Sequence, residues 1–567
     1  MTEQHPGATP EPSTDPAPQP PQAATTPSYR YPTAAGPTAG GPTAGAQGVG
    51  FGDDTAPAAG SRRRPAFIAA GVAAALVVGG AGAFAASQLS GGGAQPADVL
   101  PGDAFAYVRL DVDPSAAQKV SAVRFLGKLP QVRDTLGSGD PRQKVWEAIT
   151  ADAKSDCVSR FSYSGDIEPW LGDRVGLAVR PGGTTGKPNV AVAVQVSDEG
   201  KAQDVLTRLL ACDGADETDL RLRDGYAIVT PKGQGDATLA AVDRGRLAAD
   251  PEFSDDMSAL GEQGVASAWF DTAPAAKELE SSRGSGRSTS DLGGLGDLGG
   301  LGNGSAMMSG LSGLAGAKGA ASGRVAVAMR FDPSYVEVAG ITRGVTAIPG
   351  YTPAPGDGTQ LANLPDDTLA AVHVSGAGDA LKAAWPQIEK MIDGSGDGAD
   401  RLAAVEQQLG VTLPDDAQVL LGRSLTVSVP DQQLGDGVPS IGAKIVSTDA
   451  NRADQLVETL ERTAGAPGTL TREVDGDTLY LGTTPDYVGA LKSGGRLGDS
   501  DAFTAAMGDT SKATAAVYVD LDRLEKQYLP QVPDEQRAAV ESLRAVGITA
   551  SVQDAGSGSF SLRVVGN

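Results

Sequence analysis

Few side chains in this chain are of a type and spacing that does chemistry. The only histidines are His5, in a Pro-rich tail, and His373, inside an apolar strand. Nucleophilic triads and His-ligated metals need an available imidazole. His373 occupies the place that Arg109 holds in an earlier repeat, which points it at solvent or a local partner. No G-x-S-x-G elbow and no H-E-x-x-H is present. Gly182-Gly183-Thr184-Thr185-Gly186-Lys187 is one residue short of a phosphate loop and is followed by Pro188, so it reads as a hairpin loop. Gly294-Leu295-Gly296-Asp297-Leu298-Gly299 spells a dinucleotide fingerprint but follows no strand. Asp393-Gly394-Ser395-Gly396-Asp397-Gly398 imitates half a calcium loop, yet Ala404 stands where the bidentate acid belongs. Paired carboxylates, Asp111 with Asp113 and Asp520 with Asp522, end strands and cap the helices that follow. These patterns give no catalytic residue, cofactor or metal site. The reading is a non-enzyme, with a carboxylate-based hydrolase as the alternative.

The remaining reactive pair is Cys157 and Cys212, the only cysteines. On the outer side of a membrane, two cysteines read as a disulfide. That outer placement comes from residues 65–89, PAFIAAGVAAALVVGGAGAFAASQL, within a stretch uncharged from Pro65 to Ala97. About twenty such residues span a hydrocarbon core of roughly 30 Å as one helix. Arg62, Arg63 and Arg64 precede it and no Lys or Arg follows closely, so the N-terminus is expected in the cytoplasm and the body outside. A signal peptide cut after Ala85 is the rival, opposed by a leader of about sixty-four residues and an apolar run longer than the roughly 7–15 of an h-region.

Residues 1–61 are rich in Pro, Ala, Gly and Thr, with GPTAG twice, and cannot bury enough apolar surface to offset ordering; they are expected to be disordered. Formal charge is −24. Residues 1–65, which add Arg62 to Arg64 to the tail's Arg30, hold four basic and five acidic residues, 4 − 5 = −1, leaving −23 on the body. Such a surface repels nucleic acid and anionic headgroups.

Beyond a 90–96 linker the body is duplicated. The run from Asp98 to Val108 returns from Ala362 to Val372, Trp170–Val179 as Leu420–Val429, and LAADPEFSDDM (247–257) as LGDSDAFTAAM (497–507). The repeats span 97–345 and 360–567, joined by a 346–359 linker. A low-complexity insertion, 281–320, interrupts the first where the second has a helix over 534–546. Strands are predicted over 105–112, 175–180, 190–196, 220–230, 266–271, 325–331 and 335–341, and helices over 116–129, 143–153, 201–210 and 451–463. The fold class is α+β: two tandem copies of a mixed or antiparallel sheet unit with packed helices, after one transmembrane helix and a disordered tail.

The opening ADVLPGDAFAYVRLDVDPS (97–115), then Gln118-Lys119 and Arg124-Phe125-Leu126, resembles an actinobacterial family known only as domain of unknown function 3352. The resemblance implies membrane anchoring and an extracytoplasmic body, and brings no catalytic residues. The expected role is a single-pass, membrane-anchored binding or scaffold protein of the cell envelope. Its partner would be an envelope protein, a wall polymer or a lipid.

Overall fold

The computed structural model describes residues 94–567, apart from 130–139, most of 141–156, 183–188, 214–217, 278–322, a few residues of 346–352, 395–397, 434–437 and 530–531. They belong to one compact unit, Arg62–Asn567. The first repeat supplies β1 (Ala106–Asp111), β2 (Leu171–Arg180), β3 (Asn189–Val196), β4 (Thr218–Arg223), β5 (Tyr226–Pro231), β6 (Ala266–Asp271), β7 (Arg324–Phe331) and β8 (Tyr335–Arg343). The second supplies β9 (Thr368–Ser375), β10 (Ser424–Pro430), β11 (Gly442–Val446), β12 (Thr471–Asp475), β13 (Thr478–Gly482), β14 (Ala515–Asp520), β15 (Leu543–Asp554) and β16 (Ser557–Gly566).

These strands form one sheet in the order β4-β5-β3-β2-β1-β6-β7-β8-β16-β15-β14-β9-β10-β11-β13-β12, every neighbouring pair antiparallel. This corrects the expectation of two tandem sheet units behind a transmembrane helix. The physical reason lies at the seam. The last strand of each repeat would be an edge with unpaired N–H and C=O groups, and pairing β8 with β16 satisfies both. The outer edges remain, and they are charged: Arg221 and Arg223 on β4, Arg472 and Glu473 on β12, each in ion pairs. No helix among the described residues is long and apolar enough to cross a membrane. The expected span 65–89, with Arg62 to Arg64, lies outside them.

The order reads the same from either end once β1 is matched with β9, β2 with β10 and so on to β8 with β16. The register makes the match residue-specific. Cross-strand partners run Arg109–Ser267–Ala328–Ala339 in the first repeat and His373–Ala516–Thr549–Ser561 in the second, and Ala339 faces Ser561. That pair therefore lies on a pseudo-twofold axis.

On one face, helices Gly235–Arg244 and Pro251–Leu260 cover the first repeat and Pro485–Ser493 and Asp501–Met507 the second. Edge-to-face rings fill the space beneath: Tyr107, Phe253 and Trp269 in the first repeat, Phe503 and Tyr518 in the second. On the other face, Glu199–Leu210 covers the first flank through Ala202, Val205 and Leu206. Ala450–Thr463 covers the second through Ala453 and Val457. Two sequence expectations change. The strand predicted over 220–230 is the β4–β5 hairpin, turning at Asp224 and Gly225, both at positive φ. The helix predicted over 534–546 stops at Val540, because Leu543 onward joins the sheet as β15.

Candidate functional site

Two buried polar clusters occupy matched places in the sheet. In the first repeat, Arg109 pairs with Asp111 two residues along the same strand, and Arg174 Nε donates to Asp111 Oδ2 at 3.0 Å from β2. Arg109 Nε also reaches Gln95 Oε1 at 2.9 Å, so the segment entering the repeat closes the cluster. Asp113 pairs with Lys119. Burial of these charges is tolerated because each carboxylate meets a cation. They tie β1 to β2 and to the segment that enters the repeat.

The second repeat replaces this network with neutral groups. His373 is fully buried; its Nδ1 lies 2.9 Å from Thr426 Oγ1 and its Nε2 2.9 Å from Ser375 Oγ. Ser375 accepts from the Asp357 backbone N–H at 3.1 Å, so the inter-repeat linker closes this cluster as Gln95 closes the other. Burial holds the His373 imidazole below its ordinary value; nearby Asp357 opposes this and Lys444 adds to it. Of this serine–histidine pair His373 is buried, while Ser375 keeps partial exposure beside the linker. His373 therefore meets local partners and not solvent.

A third knot lies at the seam. Glu337 on β8 accepts from Ser561 Oγ at 2.7 Å and Arg563 Nε at 2.9 Å, both on β16, and Arg330 Nε stands 3.1 Å away. The Arg563 guanidinium also stacks 4.5 Å above the Tyr335 ring. Burial raises the Glu337 pKa, but the hydrogen bonds from Ser561 and Arg563 and the two cations outweigh it and hold the carboxyl below its ordinary value. Asp256, nearly inaccessible, takes Trp269 Nε1 at 2.9 Å and Arg324 Nε at 2.7 Å.

Of the residues singled out from sequence, Cys157 and Cys212 are joined by a disulfide that closes a 55-residue separation. Asp520 caps helix Leu521–Tyr528 by accepting from the Arg523 N–H. Asp522 instead accepts from the Asn567 side chain. The 182–187 loop joins the antiparallel neighbours β2 and β3; residues 183–188, the 294–299 glycines and residues 395–397 of the calcium-like run lie outside the described residues. Among the described residues no group of three or more His, Cys, Asp or Glu is placed to hold a metal ion. A cavity of about 340 Å³ beside Gly102, Asp103, Arg244, Arg246 and Asp250 mixes both signs of charge.

The feature that sequence reasoning missed is the open face. Opposite the polar clusters, cross-strand partners Val427, Val372, Val517, Ile548, Leu562 and Val338 form one aliphatic row across β10, β9, β14, β15, β16 and β8. Val372 is 46% exposed and Ile548 42%. Contiguous exposed apolar surface of this kind marks interaction sites. The signal was the period-two alternation in these strands, which loads their second face with Val and Ile as well.

Residues 66–252 match a family model described as protein of unknown function (DUF3352). The match takes in most of the first repeat, stops inside helix Pro251–Leu260 and covers less than half of the chain. No curated protein matches the chain, and no solved structure does.

Proposed function

We propose that this protein is a non-enzymatic binding platform of the cell envelope. The duplicated body works outside the cytoplasmic membrane, and the tail lies within the cell. The observation that carries the binding role is the single sheet. Fusing two repeats at β8 and β16 makes one surface of sixteen strands, and among the described residues no helix covers its central aliphatic face over the second repeat. The Cys157–Cys212 disulfide supports an oxidising compartment. The arginines before residue 65 and the uncharged stretch after it support the orientation. The body's acidity directs binding away from nucleic acid and anionic lipid. Partners of this class are an envelope protein, a wall polymer or a lipid.

The test places a photoactivatable amino acid at position 548 of the intact chain in its own membranes. Discrete adducts of higher mass, absent when the same residue is placed at exposed Val438, are expected. An adduct-free chain at 548 refutes the platform reading.

A further inference from the structure

The two repeats differ in how they cover one matched patch of sheet. In the first, helix Ala116–Leu126 lays Ala122, Phe125 and Leu126 over Val265 and Phe331, with Ala266, Met329 and Val336 alongside. Gln118 pins it: its amide donates to the Phe331 carbonyl at 3.1 Å and its oxygen accepts from the Phe331 N–H at 2.8 Å. In the second repeat, Ala515, Ala550 and Val552 match Ala266, Met329 and Phe331, because Ala266 faces Met329 as Ala515 faces Ala550. The corresponding helix, Ala377–Asp393, is elsewhere. Gly376 follows β9 directly at φ 69° and turns the chain at once, and the helix packs on Gly398–Leu409 and Asp415–Leu421. Lys382 and Asp379 hold it there through Asp415 and Gln418.

The consequence shows in exposure. Phe331 is 5% exposed and its counterpart Val552 39%; Val327 is 8% exposed and its counterpart Ile548 42%. The open row also continues without a break, from Ile548 through Leu562 and Val338 to Met329, into the interface that Ala116–Leu126 already makes.

We propose that this open face, centred on Val372 and Ile548, receives an amphipathic α-helix from a partner polypeptide, apolar side down and basic side outward. The proposal rests on the reading of the body as a binding platform. Every strand beneath the face is paired on both sides, so no backbone group is free for an added strand and recognition falls to side-chain shape. The first repeat shows that an aliphatic helix stripe fits this surface. The chain's net charge of −24 favours a partner helix that carries basic and not acidic residues beside its apolar stripe. From β10 to β8 there are five inter-strand gaps of about 4.8 Å, or roughly 24 Å. A helix rising 1.5 Å per residue crosses that in about sixteen residues.

The test uses the full chain and a synthetic, fluorescent peptide of about eighteen residues with a leucine stripe and a lysine face, read by anisotropy. Saturable binding is expected. Ile548→Asp and Val372→Asp should each weaken it at least tenfold, while Val438→Asp leaves it unchanged. Because 372 and 548 are exposed, these variants should fold; Ile548→Gln, expected to lose less, gives a milder second reading. A peptide of the same composition without the stripe should bind at least tenfold more weakly, as should a glutamate-faced one. Equal binding by the Ile548→Asp chain or by the scrambled peptide overturns the proposal. So does binding that emerges only after residues 281–320 are deleted, or a self-associated chain that Ile548→Asp converts to monomer. Peptide failure alongside adducts at position 548 in membranes would overturn the helix and leave the platform standing.

Discussion

Replacing Glu337 with Gln probes the seam where the repeats meet. The substitution keeps the shape and removes the charge that two arginines share. Glu337 is 89% shielded at its side chain, with 11% exposed, and accepts one charged bond from Arg563 and one neutral bond from Ser561. A hydrogen bond to a charged group contributes about 1.5–3 kcal/mol, and breaking a buried pair outright costs about 3–5 kcal/mol. Arg563 keeps its seat over Tyr335 and the residual exposure of Glu337 screens the remainder, so a loss of about 2–3 kcal/mol is expected. Chemical denaturation of Glu337→Gln, Arg563→Gln and the double variant measures it. The cycle should return a coupling of at least about 1 kcal/mol. Its pH dependence has a defined sign. A carboxyl held below its ordinary value of 4.5 stabilises the fold above that pH and loses the contribution as pH falls through its lowered value, so the parent and Glu337→Gln curves should converge under acid conditions. A change under about 0.5 kcal/mol, or curves that stay parallel into acid, would refute the reasoning.

Two further outcomes are expected. His373 is held below its ordinary value of 6.5, so stability should be level above that pH and fall as pH drops below it; His373→Gln should flatten this segment of a pH-resolved unfolding curve, and an unaltered slope would exclude the buried imidazole as its source. Removing the disulfide with Cys157→Ser and Cys212→Ser should cost about 4 kcal/mol on the chain-entropy relation for its 55-residue loop. Thermal unfolding with and without reductant reads this, and a parent that ignores reductant while becoming fully reduced would contradict it.

Much of the architecture was visible in the sequence because local patterns carry it. Strands β1, β6 and β7 follow the predicted ranges within a residue at each end, since period-two alternation and β-branched residues bound them. The helix now seen as Ala450–Thr463 was likewise marked by its apolar spacing. The fusion was not visible. Nothing local in Tyr335–Arg343 says that its second neighbour lies in the other repeat, because backbone pairing is blind to side-chain identity. Where local cues conflicted, tertiary pairing won: Leu543–Val546 has a helical continuation in sequence but completes a ladder with β14 and β16. Asp224-Gly225 was a legible hairpin signal, but the alternating Leu220–Arg223 and the apolar Tyr226–Val229 on its two sides read together as one strand. In the candidate site, the equivalence of His373 with Arg109 could be read from the repeat. Its burial could not, since the strands that flank it, β10 and β14, and the linker that bonds Ser375 come from distant parts of the sequence.

Whether the two repeats share one sheet is decided by hydrogen exchange across the seam in the intact chain. If β8 and β16 pair, their amides between Tyr335 and Arg343 and between Gly558 and Val565 should exchange as slowly as those of the interior strands β6 and β14, and far more slowly than those of the outer edges β4 and β12. Exchange of β8 and β16 at the edge-strand rate would mean that the repeats are separate sheets.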